Sequence, residues 1–214
     1  EGTNSYYEQP HLASFMGRVN YTYDDRYILT VNARGDASSK FGSNHKWGFF
    51  PAVSVAWVVS KEKFMEKLPF IDNLKVRAGY GWAGNQNGID SYTSLNLIRP
   101  NGVAPVGSSP VVTMDQLKNM NPDLKWEVKQ TFNAGIEMAL LGNRLLLNAN
   151  YYNSKTKDML YLYNVSVPPF TYNTLLANIG SMRNYGTELS IGITPLKTKD
   201  MELNINANLT FQQN

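Results

Sequence analysis

Side chains of alternating character run through most of this 214-residue chain, and this period of two constrains the fold more than any other feature. Apolar residues occupy every second position in eight segments, with polar residues between them. Such alternation predicts β-strands that each have one apolar and one polar face. The predicted strands are Phe15–Tyr23, Tyr27–Asp36, Gly48–Val59, Asn73–Trp82, Leu124–Leu140, Leu145–Asn153, Asn184–Thr194 and Met201–Phe211. We therefore expect an all-β protein, built as an antiparallel up-and-down meander.

The connections between the predicted strands alternate between tight turns and long loops. The tight turns are Asp24–Arg26, Leu141–Arg144 and Leu196–Asp200, and a medium connection is expected to open a short helical turn with Ser60 as its N-cap. The long connections are Ala37–Trp47, Ala83–Asp123, which includes a strand-like Ser91–Ile98 and an irregular Pro100–Pro110, and the stretch that ends at Asn178. Alternate connections of a meander lie at the same edge. Transmembrane β-barrels show this asymmetry, with short periplasmic turns and long extracellular loops.

The polar faces of the strands are rich in neutral side chains. Charged residues make up 17% of the chain, below the roughly 25% of ordinary soluble domains. A water-filled lumen suits neutral amides and hydroxyls, and Tyr23, Tyr27 and Trp57 lie where an interfacial aromatic girdle is expected. We therefore expect about eight long strands of a larger transmembrane β-barrel, with lipid at one face. The alternative is a soluble β-sandwich, such as a carbohydrate-binding module, with its apolar faces packed inward.

Composition excludes several classes of function. A chain without cysteine has no disulfide, no thiolate zinc site and no cysteine nucleophile, and two histidines leave little for a metal site. A net charge of +3 without charge clusters does not indicate nucleic-acid binding. The segment Gly79–Gly84 fits G-x-G-x-x-G, but no helix pattern follows it, so close strand packing is the simpler interpretation. We expect no enzyme, no cofactor and no metal.

Aromatic and amide side chains gather after the fourth predicted strand. Ring faces together with amide donors and acceptors are what recognition of a sugar or a peptide requires. The candidate ligand-contact or lid-contact residues are Trp82, Asn85, Gln86, Asn87 and Tyr92. Packing within the loop is the alternative role for them.

Several longer segments match a known family in order and spacing. They are Ser38–Gly42, Trp47–Trp57, Leu74–Gly81 with Gly84 and Asn85, Asn121–Glu127, Tyr151 and Tyr152 with Thr156–Leu160, and Ala177–Glu188. In these segments the chain resembles the SusC/RagA-type TonB-dependent transporters of Bacteroidetes outer membranes. The resemblance implies a 22-stranded barrel with a plug, import of glycans or peptides that is powered through TonB, and a SusD-like surface lipoprotein as lid.

The same resemblance implies that residues 1–214 are only part of a barrel domain. The plug domain and the TonB box are not in this sequence, so we expect it to be truncated at both ends. Within it, Ala83–Asp123 and Lys155–Asn178 are expected to contact the ligand and the SusD-like lid.

Overall fold

The computed structural model describes residues 7–214, and within them almost all of the regular secondary structure is strand. The strands of the main sheet are β1 Leu12–Tyr23, β2 Tyr27–Ser38, β3 Trp47–Val58, β4 Ile71–Asn85, β7 Glu127–Leu140, β8 Leu145–Lys157, β11 Ser181–Lys197 and β12 Glu202–Gln213. Four shorter strands are β5 Ile98–Val106, β6 Ser109–Gln116, β9 Leu160–Asn164 and β10 Thr174–Asn178. They pair as two separate hairpins, β5 with β6 and β9 with β10.

The eight main strands form one antiparallel sheet in the order β1-β2-β3-β4-β7-β8-β11-β12. Each strand pairs with the preceding and the following strand of the sheet, which confirms the predicted meander. The soluble-sandwich alternative is wrong in its architecture, because these strands build a single sheet and not two packed ones.

The register keeps the sequence alternation aligned across all eight strands, so the sheet has two chemically different faces. We call them the apolar face and the polar face. One row across the apolar face is Tyr21, Leu29, Val55, Ala78, Ala134, Tyr151, Thr187 and Phe211. The adjacent row across the polar face is Asn20, Thr30, Ser54, Gly79, Asn133, Tyr152, Gly186 and Gln212.

The short connections lie at one edge of the sheet, the tight-turn edge, and the long ones at the other, the long-loop edge. In the β1–β2 turn Asp24 and Asp25 have φ of 52° and 50°, the left-handed backbone that two-residue hairpin turns require. Between β3 and β4 the chain makes two 3-10 turns, Val59–Lys61 and Lys63–Lys67. Among residues 7–214 no helix is long and apolar enough to cross a membrane.

Three local predictions are wrong. Ser60 is not an N-cap: it lies inside the first 3-10 turn, and its hydroxyl donates to Asn73 Oδ1 at 3.2 Å. The segment Ser91–Ile98 is a set of turns, with Tyr92 at φ 64°. Strands form instead in the segment predicted to be irregular, where Val103 pairs with Val112 and Pro105 with Pro110. Proline is tolerated there because each strand of a two-stranded hairpin has a free edge.

The buried hydrophobic core lies at the long-loop edge. Its central side chains are Phe41, Phe50, Ile89, Leu124 and Trp126. The strand predicted from Leu124 begins only at Glu127, because Leu124 and Trp126 pack into this core instead of continuing the ladder. Away from this edge the apolar face is open, with Tyr21 57% and Val55 52% exposed.

Candidate functional site

Aromatic packing fixes the base of the long-loop edge. The Trp126 ring lies 4.7 Å from the Phe41 ring and 5.5 Å from the Phe50 ring, the latter edge-on, as aromatic pairs prefer. Its Nε1 donates to the carbonyl of Lys46 at 3.0 Å. These contacts join the β2–β3 loop, β3 and the segment before β7 into one unit.

Glycines permit this close packing. A Cβ on Gly42 would overlap the carbonyl oxygen of Pro122, and a Cβ on Gly48 or Gly84 would overlap the ring of Phe50. On Gly81 it would come within 2.9 Å of the Ala52 side chain. The structure therefore confirms that Gly79–Gly84 is a closely packed strand and not a nucleotide-binding loop.

A cleft of about 900 Å³ opens beside this core. One wall comes from β1 and β2, the other from the end of β4 and the residues after it, and the Phe50 and Trp126 rings also line it. The first wall is charged and polar: Arg18 Nε donates to Asn32 Oδ1 at 2.6 Å, and Arg34 Nε donates to both oxygens of the buried Asp36 at 2.8 and 2.9 Å. These are fixed donors and acceptors beside aromatic rings.

Four of the five predicted contact residues line the opposite wall: Trp82, Asn85, Gln86 and Asn87. Asn85 Nδ2 donates to Glu127 Oε1 at 3.2 Å, and Asn85 Oδ1 accepts from the Asn87 backbone N–H at 2.9 Å. The Oε1 atom of Gln86 is buried and has no hydrogen-bond partner within residues 7–214. The amide wall therefore contains at least one acceptor whose hydrogen-bonding capacity is not used within the described residues.

The two predicted aromatic residues are placed differently from the amides. Trp82 pairs with Gln130 and continues the series Val76, Ala78 and Tyr80, which places its indole on the apolar face at the margin of the cleft. Tyr92 lies in the turns after the cleft and does not line it. The structure thus brings the amides together and leaves Tyr92 apart.

The charged wall was missed by sequence reasoning. Arg18, Asn32, Arg34 and Asp36 are alternate polar positions of an ordinary hairpin, and their pattern resembles that of every other polar face in the chain. Only the pairing of β2 with β3, and of β3 with β4, brings them opposite the loop amides. Among the described residues, no group of three His, Asp or Glu side chains could hold a metal ion.

Amide side chains also join the two longest loops, and we call Asn119, Asn121 and Asn178 the amide latch. Asn119 Nδ2 donates to the carbonyls of Tyr172 and Thr174 at 2.6 and 2.9 Å, and its Oδ1 accepts two backbone N–H groups of the facing loop. Asn121 Nδ2 donates to the carbonyl of Leu176, and Asn178 bonds both the N–H and the carbonyl of Lys125. The loops that follow β4 and β8 therefore form one body.

Aromatic bands bound the apolar face at both edges. At the tight-turn edge the Tyr27 ring lies 6.4 Å from Tyr23 and 6.3 Å from Trp57. At the long-loop edge Phe15 stacks on Trp47 at 6.1 Å, next to the exposed Phe49. From Phe49 to Trp57 the strand runs about 27 Å, or roughly 20 Å across a bilayer at a tilt of about 40°. That height approaches the apolar band of membrane barrels, which is about 25 Å.

The carboxylate of Glu62 holds the aromatic band at the tight-turn edge in place. Glu62 accepts from Tyr27 Oη at 2.7 Å, Trp57 Nε1 at 3.1 Å and Arg26 Nη1 at 2.9 Å. The hydrogen bond from Tyr27, followed by that from Trp57, lowers the pKa of Glu62 below its ordinary value. The polar tips of both rings thus point to the tight-turn edge, as in an interfacial belt.

From β1 to β12 the apolar band shifts along the strands toward the tight-turn edge. Its middle is near Val19 on β1, which is in register with Gln213 on β12, but the apolar run of β12 is centred near Ala207. This drift of about six residues, or 20 Å, over seven strand spacings of about 4.8 Å corresponds to a tilt of roughly 30°. Strands of membrane barrels tilt by about 35–45°, so the sheet has the geometry of a barrel wall.

Comparison with known proteins agrees with this geometry. Residues 2–214 match the family model of the TonB dependent receptor-like β-barrel. The chain is 33% identical over 232 residues to the TonB-dependent receptor SusC of Bacteroides thetaiotaomicron, covering 100% of this chain and 23% of that protein. It is 37% identical over 211 residues to a TonB-dependent receptor of Formosa agariphila, covering 95% and 19%.

A solved structure agrees with this family assignment. The RagAB peptide importer in its open-open state superposes with a TM-score of 0.86 at 28% identity, over 95% of this chain and 22% of that one. The chain therefore spans about a fifth of the length of the relatives that it matches. It belongs to the TonB-dependent receptor β-barrel family, whose members are outer-membrane proteins.

Proposed function

We propose that this chain is part of the pore wall and of the extracellular mouth of an active transporter that imports glycans or peptides. The observation that carries the proposal is the cleft of about 900 Å³ at the long-loop edge of a sheet bounded by lipid. Its size lies in the range of ligand sites. One structural relative is described as a peptide importer, which supports a peptide as the ligand rather than a glycan. The similarity to the receptor SusC supports the assignment to TonB-dependent receptors.

The cleft suits a neutral ligand that is rich in hydrogen-bonding groups. Sugars and peptides present many donors and acceptors but little charge, and Asn85, Gln86 and Asn87 offer both kinds of group. The ion pair between Arg34 and the buried Asp36 cancels those two charges, so the charge that remains on this wall is the Arg18 guanidinium, which is bonded to the neutral Asn32. Trp82 closes the margin of the cleft, whereas Tyr92 lies outside the cleft and is proposed as a contact of the lid.

Partner binding belongs to the same proposal. A SusD-like surface lipoprotein would cover the long-loop edge, and TonB would act through parts of the transporter outside this chain. The β5–β6 hairpin supports the first partner, because Val103 and Val106 are 63% and 65% exposed on a two-stranded arm. Such a hairpin is marginally stable alone, and exposed apolar side chains on it indicate a protein contact.

The test uses the whole transporter in its native membrane. Gln86→Ala and Asn87→Ala should lower uptake of the cognate glycan or peptide about tenfold each, since each removes at least one hydrogen bond in a desolvated site. Trp82→Ala and Tyr92→Ala are measured beside them for uptake and for binding of the lid. Asn44→Ala is the matched control, because Asn44 is an exposed amide at the same edge and does not line the cleft.

The outcomes separate the parts of the proposal. Uptake unchanged in both amide variants would remove the cleft as the ligand site. Uptake and lid binding unchanged in Trp82→Ala and Tyr92→Ala would remove those two residues alone. A loss in Asn44→Ala as large as in Gln86→Ala would mean that the loops respond to any substitution, and the cleft would lose its support.

A further inference from the structure

A second concavity lies on the opposite side of the sheet, on the apolar face beside the tight-turn edge. This groove has a volume of about 460 Å³. Its floor forms at Ala78, where the row steps down from the larger Leu29 and Val55 to two alanines, Ala78 and Ala134. The rings of Tyr27 and Trp57 form its lower wall. Because the groove lies between the two aromatic bands, it opens into the hydrocarbon of the bilayer.

Charged groups of both signs stand at the lower end of the groove. Arg26 lies over the Tyr27 ring at 5.9 Å and pairs with Asp24 and with Glu62. Lys61 is paired only loosely with Asp25, at 3.7 Å, and their side chains are 52% and 82% exposed. Exposed pairs of this kind contribute little to stability, so both groups are free to bind something else at small cost.

We propose that this groove binds one acyl chain of a phospholipid whose headgroup is phosphoethanolamine. The hydrocarbon lies on Ala78 between Val55 and Val76, on the bilayer side of the rings of Tyr27 and Trp57. The phosphate lies against Lys61 and Arg26, and the ammonium lies against Asp25. The lipid belongs to the periplasmic leaflet, because the tight turns are at that side.

Charge complementarity selects this headgroup over an anionic one. The rim contains the two cations Arg26 and Lys61 and the three carboxylates of Asp24, Asp25 and Glu62. A purely anionic headgroup would meet as much repulsion as attraction there. A headgroup with one phosphate and one ammonium pairs with both signs.

The test uses the whole transporter in nanodiscs that contain phosphatidylethanolamine with a diazirine in one acyl chain. After illumination, peptides with Tyr27, Trp57 or Val76 should be labelled at least about fivefold more than the β8 peptide with Ala149, which has the same outward position but no groove. Ala78→Phe fills the floor and should lower labelling about fivefold, whereas Ala149→Phe should leave it unchanged.

Two further variants keep the proposal falsifiable. Ala78→Leu fills less of the groove and serves if Ala78→Phe does not assemble, with smaller loss of labelling expected. The double variant Lys61→Gln/Asp25→Asn removes the charges at the rim and should abolish the roughly fivefold preference for unlabelled phosphatidylethanolamine over phosphatidylglycerol as competitor. Uniform labelling of the apolar face would overturn the site, and equal competition by the two lipids would overturn the headgroup assignment.

Discussion

The two edges of the sheet are stabilised in different ways. The long-loop edge contains a buried aromatic core and the amide latch, so its structure rests on contacts within this chain. The tight-turn edge is held by the Glu62 carboxylate and its three hydrogen-bond donors. Apolar side chains on both sides of this carboxylate are exposed to what surrounds the barrel. The long-loop edge is therefore held by contacts within this chain, while we expect the rest of the apolar face to depend on lipid and on the remainder of the barrel.

The largest loss of stability is expected from a substitution that displaces the backbone beside the buried core. Gly42→Ala should cost about 3 kcal/mol or more, because the new methyl group overlaps the backbone carbonyl of Pro122, which cannot move away as a flexible side chain could. Limited proteolysis of the whole transporter should then cut the loop around Gly42 early. Gly17→Ala is the control, since nothing lies within 4 Å of its Cβ position. Equal proteolysis of both variants would contradict the packing.

A side-chain truncation compares the two regions directly. Leu124 is completely buried, and Leu124→Ala should cost about 2–5 kcal/mol. Leu209 lies on the apolar face, 52% exposed, and Leu209→Ala should cost about 1–2 kcal/mol in a bilayer, because lipid fills the space left behind and only the transfer from water to hydrocarbon is lost. Thermal unfolding of both variants in nanodiscs measures the difference. If the two variants melt alike, the long-loop edge has no independent core.

The amide latch should be broken by one substitution. Asn119→Ala leaves two carbonyls and two N–H groups of the facing loop without their partner, a loss of about 1–3 kcal/mol. Hydrogen exchange should then increase in 171–178 and in 116–126 together. Asn101→Ala, which loses one long hydrogen bond of 3.4 Å, should change neither. Faster exchange in only one loop would mean that the two do not form one body.

The meander and the two faces could be predicted from the sequence because they depend on a period of two within each strand. Only one wall of the cleft, the wall of amide side chains, could be predicted from the sequence. Asn85, Gln86 and Asn87 are neighbours in sequence, so their grouping is visible, whereas Arg34 and Asp36 reach the same cleft through strand pairing over a distance of about fifty residues. The core was not predicted, because Phe41 and Ile89 lie in loops where no period marks them as buried, and the alternation from Leu124 onward predicts a strand instead.

The smallest effect is expected at the tight-turn edge, in its response to pH. The pKa of Glu62 is lower in the folded protein than in the unfolded chain, because Tyr27 and Trp57 donate to the carboxylate. The carboxylate therefore stabilises the fold above the unfolded pKa, and this contribution is lost as the pH falls through the folded pKa. The melting temperature of the whole transporter should fall in that acidic range, and the fall should be smaller in Glu62→Gln. Glu66→Gln, in the next 3-10 turn, should behave like the parent protein; a Glu62→Gln profile identical to the parent's would show that lipid alone holds this edge.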